Sequence, residues 1–216
     1  MRTLIYALQS SGASLFTFFM GQKPDSIVIV DLHSSNLAPS LANVQKDIFL
    51  KCVITTKYTL DDHINSFNPD KLIFVVRNPY DNYASLNRKK WRYENGFIND
   101  KFVSLEKCFA NRGRFDKMIR YEDFILDKNG TIELLKDFGV TENSYAFPRT
   151  LRVMRDYNRD NCDWCATNGG KYGRGKIHFR GPMINPKLVC KTISEEDRKL
   201  VETLCPSVCE FYRQGD

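Results

Sequence analysis

Several things are missing from this sequence of 216 residues, and each absence removes a class of answer. No apolar run approaches the roughly 20 residues that a membrane helix needs, so no membrane span is expected. The opening, MRTLIYALQSSG, lacks the longer apolar region and small-residue cleavage site of a secretory leader. Residues 3–8 read instead as a first β-strand, and the protein is expected to be cytoplasmic. An even number of cysteines is also missing, and seven cannot all pair within one chain. Internal repeats and low-complexity stretches are absent. So is a strong charge imbalance: 32 Lys and Arg stand against 26 Asp and Glu, a formal net charge of +6. That excess favours an anionic ligand but is too small to imply nucleic acid.

What is present is an ordinary globular profile, 42% apolar and 27% charged, with length enough for one domain and a sizeable core. Apolar runs at residues 3–8, 26–30, 51–55, 71–76 and 115–120 read as strands. They are continuous rather than alternating, the pattern of parallel strands buried on both faces. Helical periodicity falls at 13–21, 59–67, 79–91, 102–112, 130–138 and 194–212. This order predicts an α/β fold, a single domain with a mostly parallel central sheet flanked by helices. Gly139 is placed to end one helix, and Ser194 to cap another whose first turn is acidic.

The cysteines divide into two groups. Cys52 and Cys108 lie in apolar surroundings and read as buried thiols. Cys162 with Cys165, and Cys205 with Cys209, form two close pairs. Their spacing leaves open a structural zinc, a redox pair or free thiols; the gap between the pairs is long for a compact zinc module, and free thiols are favoured.

Open α/β sheets bind ligands beyond the carboxyl ends of their strands, so the residues after each strand carry the functional question. After the first strand come Gln9, Ser10, Ser11, Gly12, Ala13, Ser14 and Leu15, then an apolar helix. Small residues at such a turn let backbone N–H groups face an anion, and the helix N-terminus adds partial positive charge. The signature GxxxxGK[ST] of nucleotide hydrolases is absent, for there is no Lys and the loop is shorter. After the fourth strand comes Arg77, a bidentate clamp for phosphate by its chemistry. Pro79 then suits a first helical turn, and Ser85 lies two turns further along that helix.

Three segments resemble, in order and spacing over about residues 3–140, the sulfotransferases that use 3′-phosphoadenosine-5′-phosphosulfate (PAPS). They are SSGAS after the first strand, KLIFVVRNPYDNYAS in the middle and MIRYEDFILD after the fifth. The resemblance implies a P-loop nucleotide-hydrolase-like sulfotransferase architecture, PAPS as cofactor with PAP as its product, and no metal. It implies that Arg77 and Ser85 hold the 3′-phosphate, that the loop Ser10–Leu15 takes the 5′-phosphosulfate, and that Tyr121 lies by the adenine. Glu122 and Asp123 read as caps of the following helix. Residues 1–140 would form the cofactor-binding core and 141–216 a helical and loop portion.

The sequence departs from that family at Ser10, where relatives commonly carry Lys or Arg. Losing such a contact removes on the order of 2–4 kcal/mol of transition-state stabilisation unless another cation reaches the site. Lys57, after the third strand, is one candidate. The late basic loop is another: Lys171, Arg174 and Lys176 lie among glycines there, the composition of a mobile lid. For the base that takes the acceptor proton, His33 is favoured, then Asp31; His63 reads as a helix surface residue. The expected partner is a small-molecule or carbohydrate hydroxyl acceptor of unspecified identity, and the oligomeric state is left open. Three alternatives stay in view: a non-catalytic PAPS- or nucleotide-binding protein of the same fold, a P-loop small-molecule kinase, and a basic RNA-binding module.

Overall fold

The structure, a computed structural model, describes residues 1–23, 26–32, 37–38, 40–89, 92–93, 96–141 and 192–214. Five strands, β1 (Arg2–Ala7), β2 (Ser26–Leu32), β3 (Asp47–Val53), β4 (Lys71–Val76) and β5 (Lys117–Arg120), form one sheet in the order β2-β3-β1-β4-β5. Every pairing is parallel. The ladder is regular except between Ile29 and Leu32 of β2, where a register shift sets three steps against two on β3. Such bulges occur at sheet edges and beside sites.

Side chains alternate between two faces, and each face has its own core. Leu4 and Tyr6 of β1, with Leu8 just after it and Phe74 and Val76 of β4, point to one. Helices α2 (Leu60–Phe67), α3 (Pro79–Asn87) and α4 (Ile98–Ala110) cover it. Ile5 and Ala7, with Ile73 and Val75, point to the other. There α1 (Ala13–Met20), α5 (Tyr121–Leu126) and α6 (Lys128–Leu135) pack, with Phe124 edge-on to both Phe16 and Phe19. Only Ser14 of α1 escapes burial, because helices and sheet enclose the rest of it.

The chain returns to the first face after residue 191 with α7 (Glu195–Leu204) and α8 (Pro206–Gln214). Periodicity predicts a single helix here, but Pro206 cannot continue α7, and Cys205 becomes the joint between two. Cys205 and Cys209 are fully buried thiols, and the Cys205 Sγ donates to the Val201 carbonyl at 3.3 Å. Cys162 and Cys165 lie outside the described residues. Other predicted boundaries shift as well. β3 begins at Asp47, four residues before its expected start, α4 begins at Ile98, and α3 stops at Asn87. The predicted punctuation is present: Pro79 opens α3, Gly139 takes a left-handed φ of 78°, and Ser194 accepts from the Asp197 N–H at 3.0 Å. No helix among the described residues is long and apolar enough to cross a membrane.

Candidate functional site

The sheet order places a switch point between β1 and β4. The chain leaves β1 through α1 toward β2, and leaves β4 through α3 and α4 toward β5, with α1 and α3 on opposite faces. A crevice opens where neighbouring strands diverge in this way. The loops after those two strands are the ones singled out by the sequence.

The loop after β1 is held from three directions. Asn82 of α3 donates to the Gln9 carbonyl at 2.7 Å, and Lys101 of α4 donates to Gln9 Oε1 at 2.8 Å. Arg77, just beyond β4, donates from Nη1 to the Ser10 carbonyl at 3.1 Å. Lys101 is wholly buried, and its Nζ also reaches the Arg92 carbonyl at 2.9 Å. The loop adopts left-handed backbone at two residues, Ser10 with φ 63° and Gly12 with φ 87°. Serine there is uncommon and strained. At Gly12 no side chain fits, because an added Cβ would lie 2.1 Å from the Tyr121 ring.

Tyr121 therefore fills the space against the loop. Its other close neighbour is the Arg77 guanidinium, 5.0 Å from the ring centre. Burial pushes the Tyr121 phenol up, and the nearby Arg77 only partly offsets this. Ser10, Gly12, Arg77 and Tyr121 thus come together at three adjoining strand tips. Ser85 is buried on α3, one turn beyond Asn82 and so on the helix face that meets Gln9.

Two donors at this place are buried without a hydrogen-bond partner, Ser11 Oγ and Arg77 Nε. Unpaired buried donors are costly. The N-terminus of α1 adjoins these donors, with no side-chain cap hydrogen bond at Gly12. The loop is a set of preorganised donors, fit to receive an anion of phosphate or sulfate size.

Sequence reasoning missed Lys51. It lies within β3, is only 6% exposed, and bonds through Nζ to Ser14 Oγ at 2.7 Å. The signal was a charged residue inside an apolar run, which reads more readily as a strand end. Glu122 also differs from expectation. It stands in the first turn of α5 but caps nothing; Oε1 accepts from the Asn78 N–H and Oε2 from the Tyr212 hydroxyl, both at 2.9 Å. Burial, then Glu122, pushes the Tyr212 phenol far up. Asp123 faces Arg120 at 3.8 Å.

Lys57 is exposed, with its ammonium 5.2 Å from the Tyr58 ring centre. Asp31 has its backbone at the irregular end of β2. His33 and the basic segment of Lys171, Arg174 and Lys176 lie outside the described residues. His63 corrects the expectation of a surface residue: it is fully buried between Tyr6 and Tyr58, and its Nδ1 accepts from the Ala38 N–H at 3.3 Å. Burial lowers its pKa to about 4.

On the face away from α1, a cavity of about 480 Å³ runs between α2 and α4. Thr55 and Thr56, just past β3, line it together with Tyr6, Val103, Ser104 and Cys108. Thr55 Oγ1 is buried there without a partner. Cys108 is half-buried rather than enclosed, and burial raises its thiol to about 11.

No protein-family model matches this chain, and no curated protein does. Among solved structures, it is similar to a retinol dehydratase determined in complex with androsterone and the inactive cofactor PAP, with a TM-score of 0.49 and 11% sequence identity. The match covers 96% of this chain and 80% of that one. The fold class itself is plain from the sheet: a single α/β domain with five parallel strands flanked by helices.

Proposed function

We propose that this chain transfers a sulfuryl group from PAPS to a hydroxyl of a small-molecule or carbohydrate acceptor. The observation that carries the reading is the convergence of the three sequence segments that resemble the PAPS-dependent family. Ser10 and Gly12 of the first segment, Arg77 of the second and Tyr121 of the third meet at one switch point. The unpartnered Ser11 hydroxyl and Arg77 Nε supply donors suited to anionic groups.

In this reading the amides of Ser11, Gly12, Ala13, Ser14 and Leu15 bind the 5′ anion. Arg77 and Ser85 hold the 3′-phosphate, and Tyr121 borders the adenine. Arg77 spends one of its five N–H donors on the Ser10 carbonyl, which leaves others for the ligand. The same bond ties the loop after β1 to the residue that follows β4. PAPS, when bound, supplies the sulfuryl group. His33 or Asp31 takes the acceptor proton, and Lys57 and the basic segment at 171–176 are further cations for the reaction. The cavity beginning at Thr55 offers hydroxyl-lined space of a size suited to a small ligand.

Calorimetry with PAP on the full chain, followed by an assay of sulfate transfer from PAPS to a panel of hydroxyl acceptors, tests the reading. Tight, 1:1 binding with turnover on at least one acceptor is expected. Failure to bind PAP overturns it. Binding without turnover favours the rival suggested by Ser10, a binding protein that keeps the fold without the chemistry.

A further inference from the structure

We propose that the cavity between α2 and α4 is a second ligand site, separate from the loop after β1, for an uncharged ring-bearing small molecule that offers one hydrogen-bonding group to Thr55. The inference does not rest on the sulfonucleotide reading. The cavity, about 480 Å³, has the size of a small-ligand pocket. None of Ser10–Leu15, Arg77, Ser85 or Tyr121 lines it. Its lining divides by depth. Tyr6, Thr55, Leu60 and Phe115 are buried and form the floor. Asp61, Asp100, Lys107 and Arg114 are exposed and form the rim.

The floor sets the chemistry of the occupant. Thr55 is 6% exposed, and its Oγ1 has no hydrogen-bond partner among the described residues. A buried hydroxyl left in that state is costly. Two neighbouring polar groups are spent on their own helix: Ser104 Oγ donates to the Asp100 carbonyl at 2.9 Å, and Asn111 Nδ2 to the Lys107 carbonyl at 2.8 Å. Thr55 thus stands as an uncommitted anchor in a largely apolar floor. The rest of that floor is a leucine and two rings, whose faces and edges suit a planar apolar body. Burial pushes the Tyr6 phenol far up and the Cys108 thiol to about 11, so both stay protonated and uncharged. The rim adds no net charge. Asp61 accepts from both terminal nitrogens of Arg114, and Asp100 and Lys107 are of opposite sign. A charged ligand would find no counter-charge on this floor, whereas a neutral one loses little on entering it.

The test uses two probes of nearly the same shape on the full chain: indole, which carries one N–H group, and indene, which carries none. Calorimetry on the wild-type chain should give 1:1 binding, with indole held about fivefold to tenfold more tightly than indene. Saturating PAP should change the indole affinity by less than about twofold. Thr55→Val keeps the shape of the floor and removes the hydroxyl. It should erase the preference, so that the two probes bind within about twofold of one another. Ser104→Trp fills the cavity from α4; it should abolish binding of both probes and leave PAP affinity unchanged. Equal affinity for the probes in the wild type, a preference that survives Thr55→Val, or displacement of indole by PAP overturns the inference. So does a wild-type chain that binds neither probe. If thermal melts show that Thr55→Val does not fold, Ser104→Trp, at a half-buried position, decides: retained binding there overturns the inference. A chain that fails to bind PAP and still prefers indole upholds it, and overturns the sulfonucleotide reading alone.

Discussion

At the amino ends of the strands, carboxylates meet matched donors; at the carboxyl ends of β1 and β4, side-chain donors gather without such carboxylate partners among the described residues. Asp47, at the start of β3, pairs with the N-terminal ammonium and with Lys23. Asp70 accepts from the Arg2 N–H at 2.7 Å, and Asp116 from Lys71 Nζ at 3.0 Å and the Leu72 N–H at 2.8 Å. Arg2 is the exception: its guanidinium lies over Phe67, with two nitrogens unpartnered. Burial alone would raise the Asp47 carboxyl, but Lys23 and the N-terminal ammonium outweigh it and hold the group below its usual value. At the other end, Arg77 Nε and Ser11 Oγ are buried without a hydrogen-bond partner. Among the described residues, the Glu122 carboxylate nearby is already committed to Asn78 and Tyr212. One end is internally neutralised; the other is where the proposed function puts a negative charge brought from outside.

The sharpest way to break this contrast is Gly12→Ala. The added methyl would collide with Tyr121 and would also have to adopt φ 87°. A loss of about 3 kcal/mol or more in stability is expected, with PAP binding abolished; chemical denaturation and calorimetry measure both. Arg77→Ala comes next. It should cut PAP affinity by about a hundredfold, or ~3 kcal/mol, while the far-ultraviolet spectrum stays native. Retained affinity would remove Arg77 from the site.

A pH effect separates the core from both ends. His63 has a pKa of about 4 in the folded chain, against 6.5 unfolded. Between those values the unfolded state binds more protons, so stability falls as the solution is acidified from neutrality, and the loss saturates below pH 4. From pH 7.5 to pH 5 the expected loss is about 2 kcal/mol. Denaturant titrations at both pH values should show it, and His63→Gln should flatten the slope over that interval. The smallest effect belongs to the neutralised end. Asp116→Asn breaks a half-exposed ion pair with Lys71. It should cost no more than about 1 kcal/mol and leave PAP affinity unchanged. A strong effect on ligand binding would show that the two ends are not independent.

Much of the fold could be read from the chain, because buried parallel strands appear as apolar runs and the turns carry marked residues. β4 has the expected bounds, and Pro79, Gly139 and Ser194 stand at the element ends assigned to them. The failures share a cause. Lys51 interrupts an apolar run, so the strand appeared to begin at the charge instead of passing through it. The short α5 leaves too few residues for periodicity to register. His63 looked exposed among acids, yet α2 turns it inward toward Tyr6 and Tyr58. For the site, local motifs located Ser10, Gly12, Arg77 and Tyr121. The partners that hold the adjoining Gln9 and Asn78, namely Asn82, Lys101 and Glu122, come mostly from distant parts of the chain, and no spacing rule reaches that far.

The bond from Tyr212 to Glu122 has a consequence for how the protein is made. A ribosome releases residues 117–126 long before residues 206–214 exist, so Glu122 first meets its α3 partner without its α8 partner. The Glu122 contacts are then complete only after residues 206–214 have emerged, when domain-scale collapse has begun. Nascent chains arrested before residue 206 should be compact yet poor at retaining nucleotide.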